Sequence, residues 1–112
     1  MYLLKIISLI NCPYSNAAKE FLDEKGINYK LISVNSQDKE KYKNKNISTF
    51  PQIYLYKKNK PEILLGGYDD IVELYQKTYK VDMEEAISYL DEKHKRNNLS
   101  RKNKLRILKI FN

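Results

Sequence analysis

Residues 2–22 read YLLKIISLINCPYSNAAKEFL, and the reading of this stretch decides the fold. Its first nine residues, Tyr2 to Ile10, are nearly continuously apolar rather than alternating, the pattern of a strand buried on both faces. Asn11-Cys12-Pro13 breaks the run. Proline suits the first turn of a helix, where its missing N–H has no partner to lose. Ala17, Ala18, Phe21 and Leu22 then recur at helical spacing, and Gly26 is placed to stop the helix. A buried strand that passes through a tight break into a helix predicts the start of an α/β architecture.

Outward from this unit the order continues. Asn28 to Val34 alternates as a strand, and the highly charged run Gln37 to Lys45 predicts a short surface helix. Thr49-Phe50-Pro51 opens a strand over Gln52 to Tyr56, Lys57-Lys58-Asn59-Lys60 reads as a hairpin turn, and Glu62 to Leu65 returns. Gly66-Gly67 ends that strand. Asp69 or Asp70 can cap a helix through Ile71, Val72, Leu74 and Tyr75, and Asp82 another with Met83, Ala86, Ile87 and Leu90 on one face. Ser100 can cap a last helix, with Leu105, Leu108 and Phe111 on one side and Ile107 and Ile110 beside them.

A length of 112 residues, 42% hydrophobic and 31% charged, is that of one soluble domain. The formal charge of +7 is uneven. Residues 1–92 hold 13 Lys/Arg and 14 Asp/Glu, whereas residues 93–112 hold 8 Lys/Arg and no acid. The expected division is therefore a domain over 1–92 and a basic extension over 93–112, with Lys93 to Asn98 as a basic break. An anionic partner, if there is one, belongs to the extension. A solvated terminus in a Lys- and Asn-rich chain is the plainer alternative.

One cysteine excludes an intramolecular disulfide and any metal site built from several thiolates of one chain. The apolar start lacks a basic n-region, is interrupted by Lys5 and meets no small-residue cleavage site before Cys12, so no signal peptide is expected. No stretch is long and apolar enough to span a membrane. The expected location is the reducing cytoplasm. Nothing in the sequence sets an oligomeric state.

Cys12 is placed between a strand end and a helix start. Unpaired N–H groups and the positive end of the helix dipole favour a thiolate there, and the thiolate is the nucleophile. Position alone leaves this reading and that of a buried structural cysteine both open. The single histidine, His94, lies in the basic segment, which argues against a Cys–His hydrolase.

Three motifs resemble those of one family. Cys12-Pro13-Tyr14-Ser15 resembles the Cys-Pro-Tyr-Cys of glutaredoxins, Thr49-Phe50-Pro51-Gln52 resembles their Thr-Val-Pro-Gln, and Gly66-Gly67-Tyr68-Asp69-Asp70 resembles their Gly-Gly-x-Asp-Asp. They occur in the family's order and cover roughly residues 2–80. The resemblance implies a thioredoxin-like fold, with a four-stranded mixed sheet flanked by helices, and thiol–disulfide chemistry with glutathione as co-substrate. It implies Cys12 as nucleophile in a loop with Pro13, Tyr14 and Ser15. Pro51 would be cis and bring the Phe50 backbone beside Cys12, with Thr49 next to it. Gly67 would allow close approach of the ligand, the N–H groups of Tyr68 and Asp69 would bind its γ-glutamyl carboxylate, and Asp69 or Asp70 would meet its ammonium. Read without the resemblance, Pro51 is a turn or edge-strand proline and the aspartates are ordinary caps.

Two departures from the family pattern carry consequences. Ser15 replaces the second cysteine, which closes the two-thiol route and leaves a one-thiol route acting on protein–glutathione mixed disulfides; its hydroxyl would at most hydrogen-bond the Cys12 sulfur. Leu9 stands where the family commonly has Lys, removing a cation from the thiolate and from the glycine carboxylate of glutathione. Lys43 or Lys45 are candidate substitutes, although solvated surface lysines are the simpler reading. Some single-cysteine members hold a [2Fe–2S] cluster between two subunits. Pro13, where cluster-binding relatives commonly have Gly or Ser, argues against that here. A non-enzymatic binding module acting through the basic extension is the remaining alternative.

Overall fold

The computed structural model describes residues 1–95 and 99–112. Its elements run β1 (Leu3–Leu9), α1 (Pro13–Glu24), β2 (Tyr29–Val34), a 3-10 turn (Lys39–Tyr42), β3 (Gln52–Tyr56), β4 (Ile63–Gly66), α2 (Tyr68–Thr78), α3 (Met83–Lys93) and α4 (Arg101–Phe111). The chain forms two compact units, Met1–Ile71 and Val72–Asn112.

The first unit holds the four-stranded sheet in the order β2-β1-β3-β4. β1 pairs with β2 in parallel and with β3 antiparallel, and β3 pairs antiparallel with β4. A parallel pair needs a crossover, which α1 supplies. Its end is written in the sequence. Gly26 takes φ +68°, so that its N–H reaches the Asp23 carbonyl at 3.1 Å and the Ile27 N–H reaches that of Leu22 at 2.9 Å. This pairing closes two otherwise orphaned helix carbonyls, and Leu22 and Ile27, both buried, can contact across the stop.

β1 is central, and Leu4, Ile6 and Ser8 on one face are buried. On the other face Ile7 forms an apolar cluster with Val34 and Phe50, against which Leu9, Ile32 and Tyr54 pack. The expectation of apolar burial along both faces fails at Lys5. Its ammonium lies over the rings of Tyr54 and Tyr56, at 5.8 and 5.2 Å from their centroids, and pairs with Glu62. The aliphatic stem covers the sheet while the charge finds aromatic faces and a carboxylate. The β3–β4 turn forms as expected, with Lys60 N–H on the Lys57 carbonyl at 3.1 Å. The charged run expected to be a helix reduces to the four-residue 3-10 turn.

In the second unit Asp82 caps α3 by accepting the Glu84 N–H at 3.1 Å, and Ser100 caps α4 by accepting that of Asn103 at 3.1 Å. Ala86 and Leu90 of α3 and Ile107, Leu108 and Phe111 of α4 are buried. Two expected core residues are not: Met83 is 56% exposed and Leu105 37%. Met83 is the first residue of α3, and α4 turns Lys104, paired with Asp91, and Ile107 inward, which leaves Leu105 on the rim. His94 is buried, its N–H on the Leu90 carbonyl at 3.0 Å. Of the expected basic break, Arg96 to Asn98 lie outside the described residues. No described helix is long and apolar enough to cross a membrane.

Candidate functional site

Asn11, with φ +65°, turns the chain out of β1, and Cys12 stands in extended backbone immediately before α1. The Cys12 carbonyl accepts the Asn16 N–H at 3.0 Å, the first bond of the helix. The thiol is partly exposed, and it donates to the Phe50 carbonyl at 3.9 Å. The Phe50–Pro51 peptide is cis, as expected. Residues 38 positions apart thus meet, Phe50 with its backbone at the sulfur and its side chain in the Ile7–Val34 cluster.

Ser15 departs from expectation. It is buried at 0% exposure, and its hydroxyl oxygen accepts the Leu9 N–H at 3.0 Å. The serine therefore ties the first turn of α1 to the end of β1 rather than serving the sulfur. Leu9 belongs to the apolar group around Phe50.

Beside the thiol loop lies an open cleft of about 580 Å³. Its described walls are Tyr14, the segment Asn46–Phe50, Leu64, Gly66, Gly67 and the start of α2, Tyr68, Asp69 and Asp70. That size falls within the usual span for small-ligand sites, about 300–1,000 Å³. Cys12 and Pro51 are not among these wall residues; the carbonyl of Phe50 connects them to the cleft. Tyr14, 61% exposed, faces Tyr68 with ring centroids 6.4 Å apart.

The α2 end of the cleft is built by two glycines and two aspartates. Gly67 precedes the helix and accepts the Ile71 N–H at 3.1 Å, while the Asp70 carboxylate reaches back to the Gly67 N–H at 2.9 Å. Asp70 therefore caps α2, as expected of one of the two aspartates, but from inside the first turn rather than from the position before the helix, which Gly67 holds. Gly66 has φ +125°, and a Cβ there would lie 2.5 Å from the Asp70 Cγ. Only glycine fits. At Gly67 an added Cβ would meet the Pro51 carbonyl at an ordinary 3.5 Å.

On the opposite wall Thr49 and Phe50 were expected as site residues, whereas Asn46, Ile47 and Ser48 were not. Asn44 accepts the N–H groups of Asn46 and Ile47, at 2.8 and 3.2 Å, folding this segment into a side-chain-supported turn. Buried Gln52 then anchors the preceding 3-10 turn, donating to the Tyr42 carbonyl at 2.8 Å and accepting the Tyr54 hydroxyl at 3.0 Å. Burial raises the pKa of Tyr54 above the ordinary tyrosine value; a bond with Asn44 opposes this and the Glu62 charge adds to it. Of the two candidate substitute cations, Lys43 pairs with Glu40 at 3.0 Å, and neither it nor Lys45 is among the described cleft residues. The asparagine-rich run KNKNIS was the available turn signal.

A family model described as Glutaredoxin matches residues 4–58. Glutaredoxin 1 of Rickettsia bellii is 36% identical over 81 residues, covering 66% of this chain and 78% of the relative. The chain belongs to the glutaredoxin family. Glutaredoxin 1 of Rickettsia prowazekii is 34% identical over 79 residues, covering 66% of this chain and 78% of the relative. The fold is likewise that of glutaredoxins. Glutaredoxin 1 from Francisella tularensis, complexed with cacodylate, superposes with TM-score 0.57 at 23% identity, over 69% of this chain and 95% of that one. A buckwheat glutaredoxin–glutathione complex gives TM-score 0.50 at 18% identity, over 82% and 79%. Glutaredoxin membership supports thiol–disulfide oxidoreductase activity as the class. In this glutaredoxin the single cysteine is Cys12, consistent with a monothiol variant.

Proposed function

We propose that this glutaredoxin reduces protein–glutathione mixed disulfides by a one-thiol mechanism through Cys12. The observation that carries the proposal is the partly exposed Cys12 thiol beside the Phe50 carbonyl, next to a cleft that ends at the start of α2. A peptide thiol lying in that cleft can pair with backbone at Phe50 as a strand does, with Thr49 at its side. Its γ-glutamyl carboxylate meets the N–H groups of Tyr68 and Asp69, where a helix N-terminus favours an anion. Its ammonium meets Asp69 or Asp70, and Gly67 leaves the backbone approach open. Tyr14 closes one side. Pro13 and Ser15 position the loop. Glutathione bound to the buckwheat fold relative supports this choice of ligand.

The chemistry is two exchanges. The Cys12 thiolate attacks the glutathione sulfur of the mixed disulfide; the Cys12–glutathione bond forms and the protein thiolate leaves. A second glutathione thiolate attacks that sulfur, forming glutathione disulfide and releasing the Cys12 thiolate. The electron pair comes from the incoming glutathione thiolate, whose sulfur is oxidised to the disulfide level as the protein sulfur is reduced to thiolate; the glutathione sulfur carried over from the mixed disulfide stays at the disulfide level throughout. No second protein cysteine enters, so Ser15 is tolerated. A reducing compartment such as the cytoplasm fits this cycle.

The domain assignment, 1–92 for the catalytic part and 93–112 for a basic extension, belongs to the same proposal. Mass spectrometry of protein treated with glutathione disulfide tests it: one glutathione adduct at Cys12, removed by glutathione, is the expected result. An unmodified Cys12 under those conditions contradicts the mechanism.

A further inference from the structure

We infer that the cleft takes γ-glutamyl thiol peptides whose C-terminus is neutral, as an amide, an ester or a continuing chain, about as well as the free acid. This rests on the glutathione reading above and names the substrate class of the same site. The charged side chains described on the cleft are both carboxylates, Asp69 and Asp70, and both stand in the first turn of α2. The Asp70 carboxylate is engaged by the Gly67 N–H at 2.9 Å, and Asp69 is exposed. A zwitterionic amino-acid end matches that end of the cleft, its carboxylate on helix N–H groups and its ammonium on Asp69.

The peptide's other end then meets a different wall. Asn46, Ile47, Ser48 and Thr49 carry only amide, hydroxyl and apolar groups. Amides and hydroxyls both donate and accept, so they satisfy a ligand amide or ester as they do a carboxylate. Leu9 packs in the apolar group around Phe50, and Lys43, paired with Glu40 at 3.0 Å on the surface, is not among the described cleft residues. Lys45 precedes this wall in sequence without being among its described residues. With no described cation on the cleft, a terminal carboxylate gains no charge-assisted bond there. A volume of about 580 Å³ and an open mouth leave room for a blocked or extended terminus.

The test compares small mixed disulfides carrying glutathione or its glycyl ethyl ester as the donor that loads Cys12, since the peptide so delivered is the one the cleft holds. Rates of adduct formation are followed by mass spectrometry and divided by the rate at which each mixed disulfide reacts with a small free thiol without protein. The wild-type rates are expected to agree within about threefold, as for a group exposed to solvent. Asn46→Lys, which adds a cation to the neutral wall, is expected to create a preference of about tenfold for the free acid. A wild-type preference of about tenfold or more for the free acid would overturn the inference while leaving the glutathione mechanism intact. Failure of both mixed disulfides to load Cys12 overturns the glutathione reading and the inference with it.

Discussion

Replacing Gly66 with alanine tests how the α2 end of the cleft is held. At φ +125° an alanine is strained before any contact is considered, at about 1–3 kcal/mol. Its Cβ would also lie 2.5 Å from the Asp70 Cγ and 2.6 Å from the Asp70 Cβ, closer than atoms approach. The aspartate must swing away, breaking its bond to the Gly67 N–H. Losing a cap of this kind costs about 0.5–2 kcal/mol. Gly66→Ala is therefore expected to lower the unfolding free energy by about 2–4 kcal/mol, the two effects overlapping rather than adding fully. Urea unfolding followed by circular dichroism reads the change. Asp70→Ala should cost about 1 kcal/mol by the lost cap bond. In the double variant the cap bond is lost once rather than twice and the carboxylate collision is gone, while the close Cβ–Cβ approach remains, so it should be less destabilised than the sum of the two singles by about 1 kcal/mol. Additive costs, or a Gly66→Ala variant within about 0.5 kcal/mol of wild type, would refute the claim that this glycine makes room for the carboxylate.

Other expectations follow from single contacts. Ser15→Ala leaves the partly buried Leu9 N–H without its acceptor and should destabilise by about 1 kcal/mol in chemical denaturation, while turnover per folded molecule persists because no step uses the hydroxyl. Gln52→Leu frees the turn that leads to the Asn46–Thr49 wall; it should raise the KM for glutathione more than it lowers kcat, and an unchanged KM would disconnect that anchor from the cleft. Tyr54 has a raised pKa, chiefly through burial, so the folded protein holds its phenolic proton more tightly than the unfolded chain does. Its contribution is fully present below the ordinary value of about 10 and is lost as pH rises through the higher folded value. Unfolding measured across that alkaline range should fall less steeply in Tyr54→Phe; equal slopes would count against it.

Much of the fold was legible because local chemistry dictated it. Gly26 stops α1 by the positive φ that the stop requires, Pro13 opens that helix, and Asp82 and Ser100 cap the two later ones. The site was legible as far as its motifs reached: the Phe50–Pro51 cis turn does bring a carbonyl to Cys12. What periodicity could not supply depended on contacts distant in sequence. The Asn46–Thr49 wall is fixed partly by Gln52, whose partner carbonyl is ten residues earlier. Lys5 sits in a central strand because two tyrosines arrive from β3 and Glu62 from the residue just before β4. The hydroxyl of Ser15 has a backbone N–H to satisfy, a role that the comparison of serine with a missing cysteine does not suggest. In α4 the apolar residues span a wide arc, and pairing of Lys104 with Asp91 accompanies a face turned away from Leu105.

The most direct test of the one-thiol account is turnover in a glutathione-reductase-coupled assay, following NADPH consumption with a small glutathione mixed disulfide. Wild-type protein is expected to turn over, Ser15→Ala to retain that turnover, and Cys12→Ser to abolish it. No turnover above the Cys12→Ser control, in folded protein, would contradict the account.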